Sequence, residues 1–272
     1  MKILVTGAKG MLGSDLVALL LEKKHEVLAF DRELDITDKS SIEKIVSMKP
    51  EVIINCAAYT NVDLAETEKE LCYKLNVVGV ENLVEAANSC KASLVQFSTD
   101  YVFDGTKEAY DESDPQKPIN YYGETKAIGE KFILANAKKY YIVRTSWLFG
   151  KNGKNFVETM KKLASEKGSV TVVNDQFGRP TFTKDLSLGI LSLIEKKPLF
   201  GIYHLTNSGS CSWFDFAKKI ISLSKLNSKV LHCTTNEFPR PAKRPKFSVL
   251  NNNKLPQLRT WEEALVSYLG VD

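Results

Sequence analysis

Residues 3–13 decide the fold: Ile3-Leu4-Val5-Thr6-Gly7-Ala8-Lys9-Gly10-Met11-Leu12-Gly13. Residues 3–6 form a short apolar run that predicts a strand, and residues 11–22 have the apolar spacing of a helix. The glycines are spaced G-x-x-G-x-x-G, which permits a tight turn and lets the backbone approach a pyrophosphate. The amide groups and the dipole of the helix start favour that anion. We therefore predict a dinucleotide-binding turn, with a ligand-free glycine turn as the weaker alternative; its residues are Gly7, Gly10, Met11, Leu12 and Gly13.

The first half of the chain alternates short apolar runs with longer amphipathic ones. We predict strands at residues 26–30, 52–55, 94–98 and 141–144, and helices at residues 39–48, 65–87 and 121–136. This alternation is typical of a doubly wound parallel α/β sheet, the Rossmann type, over residues 1–150. Glycine and proline punctuate residues 151–272 more often. We expect that part to be mainly a smaller substrate-binding lobe, whose segments could interleave with the first domain.

Composition excludes several classes of protein. The 272 residues carry a net charge of +4 and 43% hydrophobic residues, which is ordinary for a globular protein and too weakly basic to indicate nucleic-acid binding. The mild positive charge suits a small anionic substrate. No apolar run reaches the length of a membrane span and no export leader is evident, so we expect a cytoplasmic protein without a membrane partner. The five cysteines are widely spaced, and we predict free thiols and no metal site.

Two residues after the second predicted strand bear on the choice of cofactor. Asp31 lies about twenty residues beyond the glycine turn, where an acidic residue usually accepts hydrogen bonds from the adenosine ribose and favours NADH. Arg32 could instead hold the 2′-phosphate of NADPH, or be a solvated surface charge. We favour NADH and leave NADPH open.

Tyr122 and Lys126 lie four residues apart in the predicted helix 121–136 and therefore share one face. Ketone reduction needs a hydride at carbon and a proton at oxygen, and a tyrosine with a pKa near 10 is a poor proton shuttle at neutral pH. An ammonium group about 4 Å away would stabilise the phenolate by roughly 4 kcal/mol at an effective dielectric constant of 20. We predict Tyr122 as the proton donor and Lys126 as its partner, which could also hold the nicotinamide ribose. The residue four positions after Tyr121 is the uncharged Thr125, so Tyr121 has no ammonium group to stabilise its phenolate.

A hydroxyl group follows the strand predicted at residues 94–98. Ligands of parallel sheets bind beyond the carboxyl ends of the strands, and a hydroxyl there can hold a substrate carbonyl for proton transfer. We assign this role to Thr99, with Ser98 as the second choice. A turn cap is the structural alternative.

Together these motifs resemble the dTDP-4-dehydrorhamnose reductase family of the extended short-chain dehydrogenases. The matching stretches span nearly the whole chain: Asn55-Cys56-Ala57-Ala58-Tyr59-Thr60, Val62-Asp63, residues 98–105 (S-T-D-Y-V-F-D-G), residues 122–126, Gly129-Glu130, Arg144-Thr145-Ser146-Trp147, Asp175-Gln176, Pro180-Thr181 and Arg244-Pro245. The S-T-D-Y-V-F-D-G run is far more specific than the glycine turn.

The resemblance implies reduction of the 4-keto group of dTDP-4-dehydro-6-deoxy-L-mannose to dTDP-L-rhamnose by a nicotinamide cofactor. It makes Thr99, Tyr122 and Lys126 the catalytic triad. It adds to the cofactor site Asp35, Ile36, Cys56, Ala57, Ala58 and Tyr59. It implies a substrate site with Thr60, Val62, Asp63, Asp100, Val102 and Trp147. We add Arg179 and Arg244 for the diphosphate because guanidinium groups match phosphate oxygens, with surface ion pairing as the alternative.

Other functions remain open at this point. A 4-epimerase, or a reductase of another nucleotide sugar, would share these residues, and a regulatory subunit could share the fold without catalysis. A dehydratase would need a glutamate beside the threonine, where this chain has Asp100 followed by Tyr101. Some family members dimerise through Mg²⁺. Asp15 could serve one end of that site, but Lys184 at the other would repel a cation, so we predict no metal and leave a homodimer open.

Overall fold

The glycine turn joins strand β1 (Lys2–Thr6) to helix α1 (Met11–Glu22) in a computed structural model that describes residues 1–271. Gly7 has a φ of 61°, a left-handed backbone conformation that residues with a side chain rarely adopt. A Cβ at Gly7 would lie 2.7 Å from the Ala57 nitrogen, and one at Gly13 would lie 2.2 Å from the Gly7 carbonyl oxygen. Close backbone packing therefore sets the residue type at both positions.

The strands and helices alternate as the sequence predicts. The further strands are β2 (Glu26–Ala29), β3 (Val52–Asn55), β4 (Ser93–Thr99), β5 (Ala109–Tyr110), β6 (Tyr140–Thr145), β7 (Leu148–Phe149), β8 (Ser169–Val173), β9 (Phe177–Gly178), β10 (Thr181–Phe182), β11 (Gly201–His204), β12 (Cys211–Ser212), β13 (Lys229–Cys233) and β14 (Val249–Leu250). The further helices are α2 (Ser40–Met48), α3 (Lys69–Tyr73), α4 (Gly79–Cys90), α5 (Tyr121–Asn136), α6 (Phe156–Lys167), α7 (Thr183–Lys196), α8 (Trp213–Leu223) and α9 (Trp261–Leu269).

The central sheet has the spatial order β11-β6-β4-β3-β1-β2, and every neighbouring pair in it is parallel. The predicted doubly wound parallel sheet is confirmed. Ile3 packs with Leu16 of α1 on one face, and Leu4 packs with Leu83 of α4 on the other. All four side chains are fully buried, and each such burial is worth about 1.5–3 kcal/mol. Burial on both faces explains why the strands appear in the sequence as continuous apolar runs.

The single helix predicted at residues 65–87 is confirmed in its main part, but it begins at Lys69 and contains a π-helical segment. A 3₁₀ turn at Leu64–Glu66 comes first, and a π-helical segment at Lys74–Val78 joins α3 to α4. The π segment carries Asn76, whose side chain accepts from the Tyr59 amide at 3.0 Å and donates to the Tyr59 carbonyl at 3.1 Å. Helical periodicity does not reveal this interruption, because it is set by a tertiary hydrogen bond. Such π segments are frequent at functional sites.

The residues after β6 build a second hydrophobic core and also return to the first domain. Phe149, Phe216 and Trp261 are buried together between β7, α8 and α9. Helix α7 packs against α1, and β11 pairs with β6 at the edge of the central sheet. Segments from the two sides of residue 150 are therefore interleaved.

Gly13→Ala should lower the free energy of unfolding by about 1–3 kcal/mol, because the added Cβ would overlap the Gly7 carbonyl oxygen. Gly10→Ala is the matched control, since Gly10 is exposed and a Cβ there would lie 3.2 Å from the same oxygen. Its effect should stay within about 0.5 kcal/mol. Urea unfolding followed by circular dichroism measures both variants. Equal losses in the two would contradict the packing described for this turn.

Candidate active site

A cleft of about 630 Å³ lies at the carboxyl ends of β1, β3, β4 and β6. Open α/β sheets bind their ligands in this position. The cleft brings together many residues predicted from the sequence: Gly10, Met11, Leu12, Cys56, Ala58, Thr60, Val62, Thr99, Asp100, Tyr122, Lys126 and Trp147. Its walls also include residues for which we predicted no role: Phe97, Tyr101, Thr145, Ser146, Leu148, Gly153, Lys154 and Trp213.

Helix α5 carries Tyr122 and Lys126 into the cleft. Its start is fixed by Asn120, whose side chain accepts from the Gly123 amide at 2.8 Å and donates to the Lys243 carbonyl oxygen at 2.8 Å. Caps of this type typically stabilise a helix by about 1 kcal/mol. The cap therefore holds the first turn of α5, which contains Tyr122, and ties it to a distant loop.

The end of strand β4 provides the polar groups that face α5. Lys126 Nζ donates to the Phe97 carbonyl oxygen at 2.6 Å. Thr99 is the last residue of β4, and its hydroxyl donates to Asp100 Oδ1 at 2.9 Å. The two elements that carry the predicted triad are thus bonded directly to each other.

Burial dominates the protonation of the predicted triad. It raises the pKa of the Tyr122 phenol, a rise that Thr99 opposes by hydrogen bonding. It lowers the pKa of the Lys126 ammonium to about 8, with the charge of Glu130 acting in the opposite direction. The sequence argument expected Lys126 to lower the pKa of Tyr122. In the free chain, lost hydration instead raises the pKa of the Tyr122 phenol, and Lys126 donates to the Phe97 carbonyl oxygen. Tyr122 therefore remains protonated at neutral pH.

Asp100 is a buried carboxyl group on the wall of the cleft, 3% exposed. Burial raises its pKa to about 6. Its Oδ2 atom has no hydrogen-bond partner within residues 1–271. A buried acceptor left in this state costs about 1–3 kcal/mol, so a hydroxyl group of a ligand that reached it would be bound favourably.

The residues predicted to select the cofactor lie next to the glycine turn. Asp31 and Arg32 follow β2, and Arg32 is exposed. Glu33 accepts from the Asp31 amide at 2.9 Å and pairs with Lys9 of the glycine turn at 2.6 Å. The sequence analysis missed this pair, which places a second carboxylate beside Asp31.

Asp35 and Ile36 form the next part of the same loop. Asp35 Oδ1 accepts from the amide of Thr37 at 2.9 Å and from its hydroxyl at 2.8 Å. Ile36 is buried, and its carbonyl oxygen accepts from Asn82 Nδ2 at 2.8 Å. These bonds fix the loop, while Asp35 remains exposed.

The segment after β3 is held through its backbone. Asn55 Oδ1 accepts from the Ala57 amide at 3.1 Å, and Asn76 binds both backbone polar groups of Tyr59. Ala57 and Tyr59 thus contribute packing, while Cys56 contributes cleft surface. Burial raises the pKa of the Cys56 thiol, which disfavours a reactive thiolate.

A second pocket of about 440 Å³ adjoins the cleft and shares Tyr101 and Trp213 with it. Arg240 and Arg244 line this pocket, and both bind Asp63, with Arg244 NH1 2.6 Å from Asp63 Oδ1. Burial would raise the pKa of Asp63, but the two arginines hold it below its usual value. Asp63 therefore orients guanidinium groups in the free chain. Arg240 was missed because nothing in the sequence separates it from its basic neighbours.

Trp147 and Trp213 stack on each other at the cleft, with ring centroids 3.5 Å apart and planes 7° apart. Trp147 has a φ of 48°, which is unusual for a large side chain. The Thr181 amide donates to its carbonyl at 3.2 Å, and a Cβ at Gly178 would lie 2.5 Å from its ring. Strained residues held by their neighbours cluster at ligand sites.

Three predicted substrate residues lie outside the walls of both pockets: Asp63, which reaches the second pocket only through its two arginines, Val102 and Arg179. Val102 is fully buried with Phe103 and Leu250, so its side chain belongs to the core. Arg179 is partly buried, its Nε and NH1 have no hydrogen-bond partner within residues 1–271, and burial lowers its pKa. The Ser146 hydroxyl donates to its carbonyl oxygen at 2.7 Å. Sequence spacing could not show that Arg244 lines a pocket and Arg179 does not, because segments distant in sequence surround each of them.

Residues 1–271 contain no group of histidine, cysteine, aspartate and glutamate side chains arranged to bind a metal ion. Asp15 instead accepts from the Thr183 hydroxyl at 2.5 Å. The five cysteines are free thiols. No helix in this part of the chain is long and apolar enough to cross a membrane.

Comparison with known proteins identifies the family. The sequence-family model that describes the RmlD substrate binding domain matches residues 1–271 of this chain. A dTDP-4-dehydrorhamnose reductase of Aggregatibacter actinomycetemcomitans is 42% identical, over 97% of each chain. The spore coat polysaccharide biosynthesis protein SpsK of Bacillus subtilis is 40% identical, over 98% of this chain and 96% of its own. The crystal structure of a dTDP-4-dehydrorhamnose reductase from Bacillus anthracis in complex with NADP is 44% identical and covers 99% of both chains with a TM-score of 0.95. The chain therefore belongs to the RmlD substrate-binding domain family.

Proposed function

We propose that this chain reduces the 4-keto group of dTDP-4-dehydrorhamnose to give dTDP-L-rhamnose, with hydride from a reduced nicotinamide cofactor. Relatives that match nearly its whole length bear the name of this activity. The observation that carries the proposal is the meeting of Thr99, Tyr122 and Lys126 in one cleft beside the glycine turn.

The glycine turn fits the pyrophosphate of a dinucleotide. Helix α1 begins after Gly10 without a side-chain cap, so no side chain competes with a ligand for its first amide groups. The backbone around Gly7 and Gly13 is too closely packed for any side chain. A cofactor bound along the cleft would supply the hydride.

Tyr122 supplies the proton that the reduced oxygen requires. As the C4–oxygen double bond becomes a single bond, the oxygen takes the proton of the Tyr122 hydroxyl and leaves a phenolate. Lys126, held by the Phe97 carbonyl, stabilises that phenolate with its positive charge. The Thr99 hydroxyl, which donates to Asp100 Oδ1 in the free chain, would turn to donate to the same carbonyl oxygen and position it for proton transfer.

The second pocket suits the nucleotide part of the substrate. Arg240 and Arg244 present guanidinium groups that can bind diphosphate oxygens in pairs, and Asp63 orients both. Trp213 and Phe156 supply an aromatic wall, with ring centroids 4.5 Å apart, against which a base can pack. The sugar would then reach the cleft that contains Tyr122.

We infer that NADH is used in preference to NADPH. Asp31 and Glu33 place two carboxylates after β2, which favours a ribose hydroxyl over a phosphate. Arg32 is exposed, and its positive charge would instead favour the 2′-phosphate of NADPH. The relative from Bacillus anthracis was solved with NADP.

Cofactor consumption separates this function from its rivals. An epimerase returns the hydride to its sugar and consumes no net cofactor, and a regulatory subunit binds cofactor without oxidising it. A reductase oxidises one cofactor for each sugar reduced.

Tyr122→Phe should lower kcat about 10²- to 10⁴-fold, because a phenyl ring cannot donate the proton. Tyr121→Phe is the matched control, since Tyr121 precedes Tyr122 on α5 and lies outside the cleft walls; we expect wild-type kcat. The kcat of both variants is measured from the loss of reduced-nicotinamide absorbance with dTDP-4-dehydrorhamnose. For the wild type, we expect a higher kcat/KM with NADH than with NADPH. Full activity of Tyr122→Phe would refute the proton donor, and no oxidation by the wild type would refute the substrate.

Arg244→Met should raise the KM for the sugar nucleotide about 10- to 100-fold, because a charged hydrogen-bond donor to phosphate is lost. The affinity for reduced cofactor should not change. Lys246→Met removes the same charge from an exposed neighbouring position outside the pocket and should leave KM unchanged. Titration calorimetry with dTDP alone measures this site without the reaction. Equal weakening in both variants would show a general charge effect and exclude a diphosphate contact by Arg244.

A further inference from the structure

Glu130 of α5 and Arg144 of β6 form a buried ion pair behind the cleft. Each side chain is 1% exposed. Arg144 NH2 donates to Glu130 Oε2 at 2.7 Å, and Arg144 Nε donates to Oε1 at 3.0 Å. Burying two charges carries a desolvation penalty, and apolar residues of similar volume often stabilise a fold at least as well. Fold stability alone therefore does not explain the pair.

Further hydrogen bonds fix the Glu130 carboxylate. Gln116 Nε2 donates to Oε2 at 2.6 Å, and the Ser98 hydroxyl donates to Oε1. Arg144 is fixed in turn by the Glu112 carbonyl oxygen at 3.4 Å and by His204 Nε2 at 3.3 Å. The carboxylate therefore has a single well-defined position.

Glu130 continues the line of functional residues on α5. Tyr122, Lys126 and Glu130 are spaced by four residues, so they lie along one face of the helix. Lys126 binds the Phe97 carbonyl, and Glu130 binds the next residue of β4, Ser98. Ser98 directly precedes Thr99, so the bond to Glu130 holds the strand at the point where the predicted triad meets.

We propose that Glu130 is a positioning residue of the reductase: its buried carboxylate aligns α5 on the end of β4 and keeps the neighbouring Lys126 in the ammonium form. This inference rests on the proposed function, because it assigns the ammonium group the task of stabilising the Tyr122 phenolate.

The charge of Glu130 opposes the effect of burial on Lys126. Burial lowers the pKa of Lys126 to about 8, and the Glu130 carboxylate acts to raise it. The other titratable or charged groups around this face are Cys72 on α3, Asp100 after β4, Tyr122 on α5 and Arg144 on β6. Burial raises the pKa of the Cys72 thiol, so that group is neutral at pH 7.

The sign of the pH dependence follows directly. As pH rises through the pKa of Lys126, the ammonium charge is lost and the phenolate loses its partner, so reduction slows on the alkaline side. Without the Glu130 charge, the pKa of Lys126 falls further, and the loss of activity begins at lower pH.

Glu130→Gln removes the charge and keeps the size of the side chain. We expect the alkaline limb of the kcat profile to move down by about one pH unit. The NMR titration of Lys126 in ¹³Cε-lysine-labelled free protein should move in the same direction, with its resonance assigned from Lys126→Met. The NMR titration needs no substrate, so it distinguishes failure of this inference from failure of the proposed function.

Gln116→Leu is the matched control, because it removes a hydrogen bond to Glu130 and keeps the charge; the titration of Lys126 should stay at its wild-type position. Glu130→Asp returns the charge and should move the alkaline limb back toward wild type. If Glu130→Gln does not fold, the double variant Glu130→Gln/Arg144→Met leaves no unpaired buried charge. Because it also removes a positive charge, it is compared with Arg144→Met alone, and the difference between their Lys126 titrations reports the Glu130 charge. A wild-type titration of Lys126 in Glu130→Gln, or equal titrations in the double variant and Arg144→Met, with only Tm reduced, would overturn the proposal and leave Glu130 a purely structural residue.

Discussion

The contact between helix α5 and the carboxyl end of strand β4 is the constraint on which the site depends. A parallel sheet brings the ends of its strands to one edge, but it does not align individual side chains. The alignment comes from α5, where Lys126 is bonded to the Phe97 carbonyl and Glu130 to the Ser98 hydroxyl. The Asn120 cap fixes where that helix starts. A shift of α5 along β4 would therefore move Tyr122 away from Thr99 and separate the groups that we propose hold the carbonyl oxygen.

Burial is the second common feature, and it acts differently on each ionisable group of the site. It keeps Tyr122 protonated, which suits a proton donor in the direction of reduction. It lowers the pKa of Lys126 to about 8, so the ammonium form still prevails at neutral pH. It raises the pKa of Asp100 to about 6. In the adjoining pocket, Asp63 is held ionised by its two arginines. Burial thus favours the neutral form of each of these groups, and at Asp63 two arginines overcome it.

The sequence predicted most of the fold and the position of the glycine turn, because local rules determine both. Glycine spacing marks the turn after β1, and apolar periodicity locates α5 at Tyr121–Asn136. It missed the π-helical segment at Lys74–Val78, where Asn76 accepts a hydrogen bond from the Tyr59 amide. It also gave no role to Arg240 and Trp213, which meet Tyr101 from segments more than a hundred residues away in the printed sequence. The residues of the second pocket are brought together by the packing of segments distant in sequence, which no local pattern encodes.

Transfer of deuterium tests the central claim most directly. dTDP-4-dehydrorhamnose would be incubated with the protein and NADH or NADPH carrying deuterium at both hydrogen positions of nicotinamide C4, in ordinary water, and the product analysed by NMR. We predict one deuterium at sugar C4, in an amount equal to the cofactor oxidised, and an ordinary hydroxyl on the same carbon. A product without deuterium at C4, or an epimerised sugar formed without oxidation of the cofactor, would contradict the proposed reductase.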